Sequence, residues 1–223
     1  MTAMAGVSYP DPAELLEHYP STAERLADKF VHLAGMAISA AIGAVLFAHA
    51  LGHARPSIAG AIALYAACAI AMLGCSALYN LAHPSRIRLL LRRLDETAIF
   101  MMIAGTCTPY LLTLGAHRWE SEALEWAVAA IGAGVRLLAP RWRHWTAFYV
   151  GYGALSMALA APSAAGLPPA SLACLAAVVA TYGVGVCTFL SSRLPYRRAV
   201  WHAIIVVAMA VDFGALATGL VGG

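Results

Sequence analysis

Seven long apolar stretches limit what this chain can fold into more than any other feature of its sequence. They run near 31–51, 57–79, 94–114, 123–139, 145–161, 167–190 and 199–220, the fourth and fifth being the shortest. A hydrocarbon core about 30 Å thick needs about 20 such residues per crossing helix. The stretches are continuous, not alternating, so they predict helices in place of barrel strands. Composition agrees: 61% of residues are hydrophobic and only 11% charged, where a soluble domain carries about 25% charged residues. The expected fold is all-α, an integral membrane bundle of seven helices over 30–223, preceded by a segment over 1–29.

Basic residues give the bundle a direction. Twelve of the fourteen Lys and Arg fall on the side of the N-terminus, and only Arg55 and Arg118 on the other. Positive charge stays cytoplasmic. This predicts an N-terminus in the cytoplasm and a C-terminus outside, in a cell membrane such as the bacterial inner membrane. The formal charge of +3 therefore describes an inner belt facing lipid heads. Membrane lipids are the expected partners, nucleic acid is not expected, and the oligomeric state stays open. The five cysteines all lie inside apolar stretches without a C-x-x-C pair, so they read as small hydrophobes.

Polar residues inside the stretches are the candidates for function, because the bilayer makes them expensive. Asp11–Glu14 and Ser21–Glu24 both have the spacing of a capping box. They predict short helical turns at the inner surface before the first span. Asp28 and His32 continue a stripe that starts at Glu24 with a step of four. They read either as a solvated cap with an interfacial histidine or as the edge of a cytoplasmic-side site. Ser76 and Asn80 sit one turn apart at the end of the second stretch. A turn carrying Arg86, Arg88, Arg92 and Arg93 follows, and Asp95 opens the third stretch.

Further along, Pro109 is expected to kink the third helix, with Thr106 or Thr108 satisfying the freed carbonyl. Arg118, Trp119, Glu120, Glu122 and Trp126 read as an outer interfacial turn, and 136–145 as an inner one with Trp142 and Trp145. Arg198 and His202 are one turn apart at the start of the seventh stretch, and Asp212 lies about 15 Å further along the axis. An acid at that depth is either neutral and hydrogen-bonded or a proton-handling group.

The motifs S-A-L-Y-N, R-R-L-D-E-T-A-I-F, A-G-T-C-T-P and L-P-Y-R-R-A-V-W-H, with Glu24 and the H-L-A-G at His32, span about 24–213. Together they resemble the hemolysin III family, bacterial relatives of the progestin and adipoQ receptors. The resemblance implies a seven-helix membrane protein with an inner-side zinc site. Its parts would be a serine and a histidine four apart ending helix 2, an aspartate starting helix 3, and two histidines four apart starting helix 7.

Ser76, Asp95 and His202 match that pattern, whereas Asn80 and Arg198 stand where two ligand histidines are implied, and Asp212 where a later histidine is. Asn80 is a poor zinc ligand, and Arg198 is a permanent cation. The expected site is therefore metal-poor or metal-free, with Arg198 opposite Asp95. A rival arrangement recruits Asp28 or His32 beside His202 to rebuild a metal site. Three functions follow from the resemblance. One is zinc-dependent hydrolysis of a lipid amide or ester, ceramide-like, with Ser76 and Asp95 positioning water or polarising the carbonyl. The second is cytolysis, and the third is a non-catalytic role in membrane homeostasis.

Overall fold

In the computed structural model of the protein, the described residues are 18–53, 56–114, 118–138, 145–191 and 193–221. They form seven α-helices and no strand: α1 (Thr22–His53), α2 (Pro56–Leu81), α3 (Ile87–Leu114), α4 (Arg118–Leu138), α5 (Trp145–Ala164), α6 (Pro169–Leu190) and α7 (Arg197–Leu216). A single π turn over Ala217–Val221 ends the chain's described part. Each helix occupies one of the seven apolar stretches. The shortest have 20 residues, about 30 Å of axis. Four helices, α1, α2, α6 and α7 with the turn after it, are long and apolar enough to cross a membrane.

Several helices extend beyond the apolar stretches that predict them. Ser21 caps α1, accepting the Glu24 backbone N–H at 3.3 Å. The serine half of the second capping box is therefore formed, and the helix begins nine residues before position 31. The first capping box, at Asp11–Glu14, lies outside the described residues, as do Arg55, Arg141, Trp142 and Arg143. Arg88, Arg92 and Arg93 do not form a turn between helices. They occupy the first turns of α3, which starts at Ile87, because Arg and Leu are good helix formers. Likewise Glu120, Glu122 and Trp126 are part of α4, not an interfacial turn.

Neither threonine beside Pro109 reaches the carbonyl that the proline frees. Thr106 bonds to the Met102 carbonyl and Thr108 to that of Ala104, each at 2.9 Å. Pro109 itself lies within α3.

The order of contacts places α7 between α6 and α1, then α2, then α3, with α4 and α5 on the far side of α3. The central helix is α2, whose Tyr65, Ile62 and Leu73 are fully buried. α1 buries one narrow face, Asp28, His32, Gly35, Ser39, Gly43, Leu46 and Ala50, a spacing of three and four residues. Its other faces expose Phe30 at 72% and Val45 at 67%. Large apolar side chains turned outward along whole helices suit lipid, not water.

Small residues set the depth of these contacts. A Cβ at Gly35 would stand 2.5 Å from Val206 of α7, and one at Gly43 would stand 2.5 Å from Ala66 of α2. Gly35 in particular lets α1 approach α7 one turn away from His32. α7 starts from Tyr196 in the left-handed region, φ 53° and ψ 25°, directly before the two arginines that open the helix.

Candidate functional site

Four helix ends meet where α1, α3 and α7 begin and α2 ends, and there the polar stripe of α1 faces α7. Asp28 and His32 are fully buried, and Ser76, Asn80 and His202 nearly so. A hydrogen-bonded chain links them. His202 Nδ1 lies 2.6 Å from Asp28 Oδ1, and His202 Nε2 lies 3.2 Å from Ser76 Oγ. The second oxygen of Asp28 accepts the Tyr19 hydroxyl at 2.5 Å. Asn80 donates through Nδ2 to Ser76 Oγ at 3.2 Å and to the Ser76 carbonyl at 3.0 Å. Its Oδ1 accepts Arg198 Nη1 at 2.8 Å.

His32 turns its Nδ1 to the Asp28 carbonyl at 2.8 Å. Its ring stands 4.2 Å from that of His202, centroid to centroid. Asp95, partly buried on α3, interacts with the Ser76 hydroxyl and feels the charges of His202 and Arg198. Arg198 makes its direct side-chain bond to Asn80 and acts on Asp95 as a neighbouring charge. The expected opposition of Arg198 and Asp95 is thus a through-space effect beside a stronger local bond.

The segment before α1 closes this end. Tyr19 is 7% exposed; burial first, then its bond to Asp28, pushes its phenol well upward, so it remains a proton donor to that carboxylate. His18 stacks edge-on against Tyr79 at 5.0 Å. Burial, then the charges of Arg198 and Arg88, lowers His18 to about 3, so it is neutral at physiological pH. Arg88 is fully buried, with its guanidinium 5.8 Å from the Tyr79 ring.

The donor set decides what metal chemistry fits. Asn80 and Arg198, at the positions where histidines are implied, are bonded to each other and offer no ligand pair. A different set does: Asp28, His32 and His202 bring one ligand atom each within 4.8 Å of one another. His32 Nε2 is buried with no hydrogen-bond partner among the described residues, as an unfilled ligand atom would be. The structure thus moves Asp28 and His32 from the edge of the expected site to its centre.

Asp212 does not join them. It lies about 15 Å up α7 by helix rise, buried and bonded at Oδ1 to the Tyr110 hydroxyl at 3.0 Å. Two further acids, one buried and one half-buried, had no part in the sequence-based site. Glu125 is fully buried and accepts the Ser156 hydroxyl at 2.6 Å. Glu96 pairs with the buried Arg136 and with Arg92. A charge inside an apolar stretch was the available signal for Glu125 and Arg136. Tyr19 carried none, since its role depends on the turn that brings it back over Asp28.

Comparison with known proteins places the chain as a whole. Over 194 residues the chain is 29% identical to "Hemolysin-3" of Bacillus cereus, covering 85% of this chain and 89% of that one. It is 26% identical over 199 residues to "Hemolysin-3 homolog" of Bacillus subtilis strain 168, covering 85% and 91%. A family profile described as haemolysin-III related matches residues 23–213, a span that runs from the first turn of α1 past His202 and Asp212. The chain is therefore a membrane protein that belongs to the haemolysin-III family.

Proposed function

We propose that this protein spans the bacterial inner membrane seven times, with its N-terminus in the cytoplasm, and hydrolyses acyl bonds of membrane lipids. Residues 1–29 would then lie on the cytoplasmic side and 30–223 form the membrane domain. The observation that carries the reading is the buried chain from Asp28 through His202 to Ser76 at one end of an apolar bundle. Burying these groups costs several kcal/mol unless each is paired, and a scaffold alone has no need of them. The partly exposed Arg25 and Arg197 beside it suit the phosphate heads of lipids entering from the inner leaflet.

His202 is the group that moves a proton, Asp28 orients it, and Asn80 and Arg198 offer donors for a carbonyl oxygen that gains charge. A role in membrane homeostasis follows from such turnover. The test is purified protein in detergent with total bacterial lipid, reading released fatty acid by mass spectrometry. Wild type should release it and His202→Ala should not. No release from either would sink the proposal. Tags at the two ends, probed from each side, should report opposite compartments.

A second reading rests on the partnerless His32 Nε2. Asp28, His32 and His202 would hold a zinc ion, which when bound polarises a carbonyl and acidifies water. Stoichiometric zinc in purified protein supports it; its absence after metal supplementation removes it.

A further inference from the structure

We propose, building on the lipid-hydrolase reading, that Ser76 is a covalent nucleophile, activated by His202 and Asp28 as a metal-independent serine–histidine–aspartate relay inside the membrane bundle. The geometry has each part of such a relay. Ser76 Oγ stands 3.2 Å from His202 Nε2, and the other ring nitrogen stands 2.6 Å from Asp28 Oδ1. One ring thus bridges a hydroxyl and a carboxylate through opposite nitrogens, the arrangement that selects a single tautomer and orients the base. The second oxygen of Asp28 is held by Tyr19 at 2.5 Å, so the carboxylate cannot rotate away. Next to the hydroxyl, Asn80 Nδ2 stands 3.2 Å from Ser76 Oγ, and Arg198 fixes that amide through its oxygen at 2.8 Å. An amide donor locked by a cation within reach of the nucleophile suits an oxyanion.

The same distances weigh against His202 and Asp28 sharing a metal in this arrangement. Two ligands at about 2.0 Å from one zinc, in tetrahedral array, stand about 3.3 Å apart. The 2.6 Å between His202 Nδ1 and Asp28 Oδ1 is a hydrogen-bond length instead. Asp95 is a second acid near the Ser76 hydroxyl, whose single proton goes to one acceptor at a time. Only the histidine can pass a proton on to a leaving group while remaining hydrogen-bonded to a second acid.

Ser76 Oγ bonds to the acyl carbonyl carbon of a lipid ester or amide, and its proton goes to His202 Nε2. The carbon–oxygen or carbon–nitrogen bond then breaks, and the leaving alcohol or amine takes that proton. Water, deprotonated by His202, attacks the acyl-serine and releases the fatty acid, restoring the hydroxyl. Asp28 holds its negative charge throughout.

The test uses the full chain in lipid nanodiscs with a long-chain alkyl fluorophosphonate. Wild type should take up one equivalent on the peptide containing Ser76, with and without EDTA. Ser76→Ala should take up none, and Asp28→Asn should label about 10⁴-fold more slowly. Asp212→Asn, about 15 Å along α7 from the relay, should label within about tenfold of wild type, which separates the relay from a general loss of the fold. Circular dichroism of each variant checks folding; should Ser76→Ala fail to fold, Ser76→Thr replaces it and should label at least 10²-fold more slowly. Fatty-acid release without any labelling of Ser76, or release that EDTA abolishes, overturns the relay and leaves the hydrolase reading standing. Absence of both labelling and release overturns both.

Discussion

Arg198 donates from Nη1 to Asn80 Oδ1 across the α2–α7 contact, at 2.8 Å. These are the two residues that stand where the family resemblance implies histidines, and they satisfy each other. A charged donor on a neutral amide is a stronger bond than two neutral groups make. It also puts a permanent cation where the family resemblance implies a ligand side chain. The two departures from the family pattern are therefore one change in physical terms, since either alone would leave a buried group unmatched.

A double-mutant cycle measures that coupling. Asn80→Ala should destabilise by about 1.5–3 kcal/mol, because the guanidinium loses its acceptor. Arg198→Ala should cost a similar amount, and the double variant less than the sum, with a coupling of about 1 kcal/mol or more. Thermal unfolding in detergent reads all three. Strict additivity would show that the bond contributes nothing. The pair Asn80→His with Arg198→His should also raise the zinc content of purified protein above that of wild type.

Gly35 holds α1 against α7, and the site depends on that approach. A Cβ there would stand 2.5 Å from a Val206 methyl, so Gly35→Ala should lower stability by about 1–3 kcal/mol through overpacking. Because His202 sits one turn before Val206, the variant should also lose fatty-acid release. Adding Val206→Ala removes the clashing methyl and should restore most of both. A Gly35→Ala protein with wild-type melting and turnover would mean the helices separate freely.

The seven helices were legible because the bilayer leaves a chain of this composition few other solutions, and long apolar stretches announce themselves. Their ends were not. Arg88 to Arg93 look like a loop by charge, yet they continue α3, since a helix emerging from apolar surroundings keeps its backbone bonds in water as well. The site was half legible. Ser76, Asn80, Arg198 and His202 share spacing within two helices, and spacing shows in sequence. That Asp28 and His32 would face them depends on the contact of α1 with α7, a fact of tertiary arrangement. The partners of Glu125 and Asp212 were hidden for the same reason, as Ser156 and Tyr110 lie on other helices.

His18 makes stability depend on pH in one direction. An unfolded chain binds its proton near 6.5, while the folded protein binds it only at about 3. Between those values the unfolded state holds more protons, so stability falls as pH drops from about 6.5 toward 3. His18→Gln should therefore lose less melting temperature than wild type between pH 7.5 and pH 5. Equal losses in the two proteins would show that His18 protonates as readily folded as unfolded.

Asp212 tests whether a buried acid on the same helix belongs to the site. Its oxygen accepts the Tyr110 hydroxyl at 3.0 Å, and the Tyr65 hydroxyl is its other neighbouring donor. Removing the hydroxyl with Tyr110→Phe leaves the carboxyl short of a donor inside the bundle, a cost of about 1–3 kcal/mol. Asp212→Asn keeps the volume and an acceptor for Tyr110, so it should melt close to wild type. Neither change touches the chain from Asp28 to Ser76, about 15 Å away by helix rise. Both variants should release fatty acid at the wild-type rate once folded. If Asp212→Asn instead abolished release while leaving the melting temperature unchanged, the acid would be handling protons for the reaction, and the boundary drawn here around the site would have to be moved up α7.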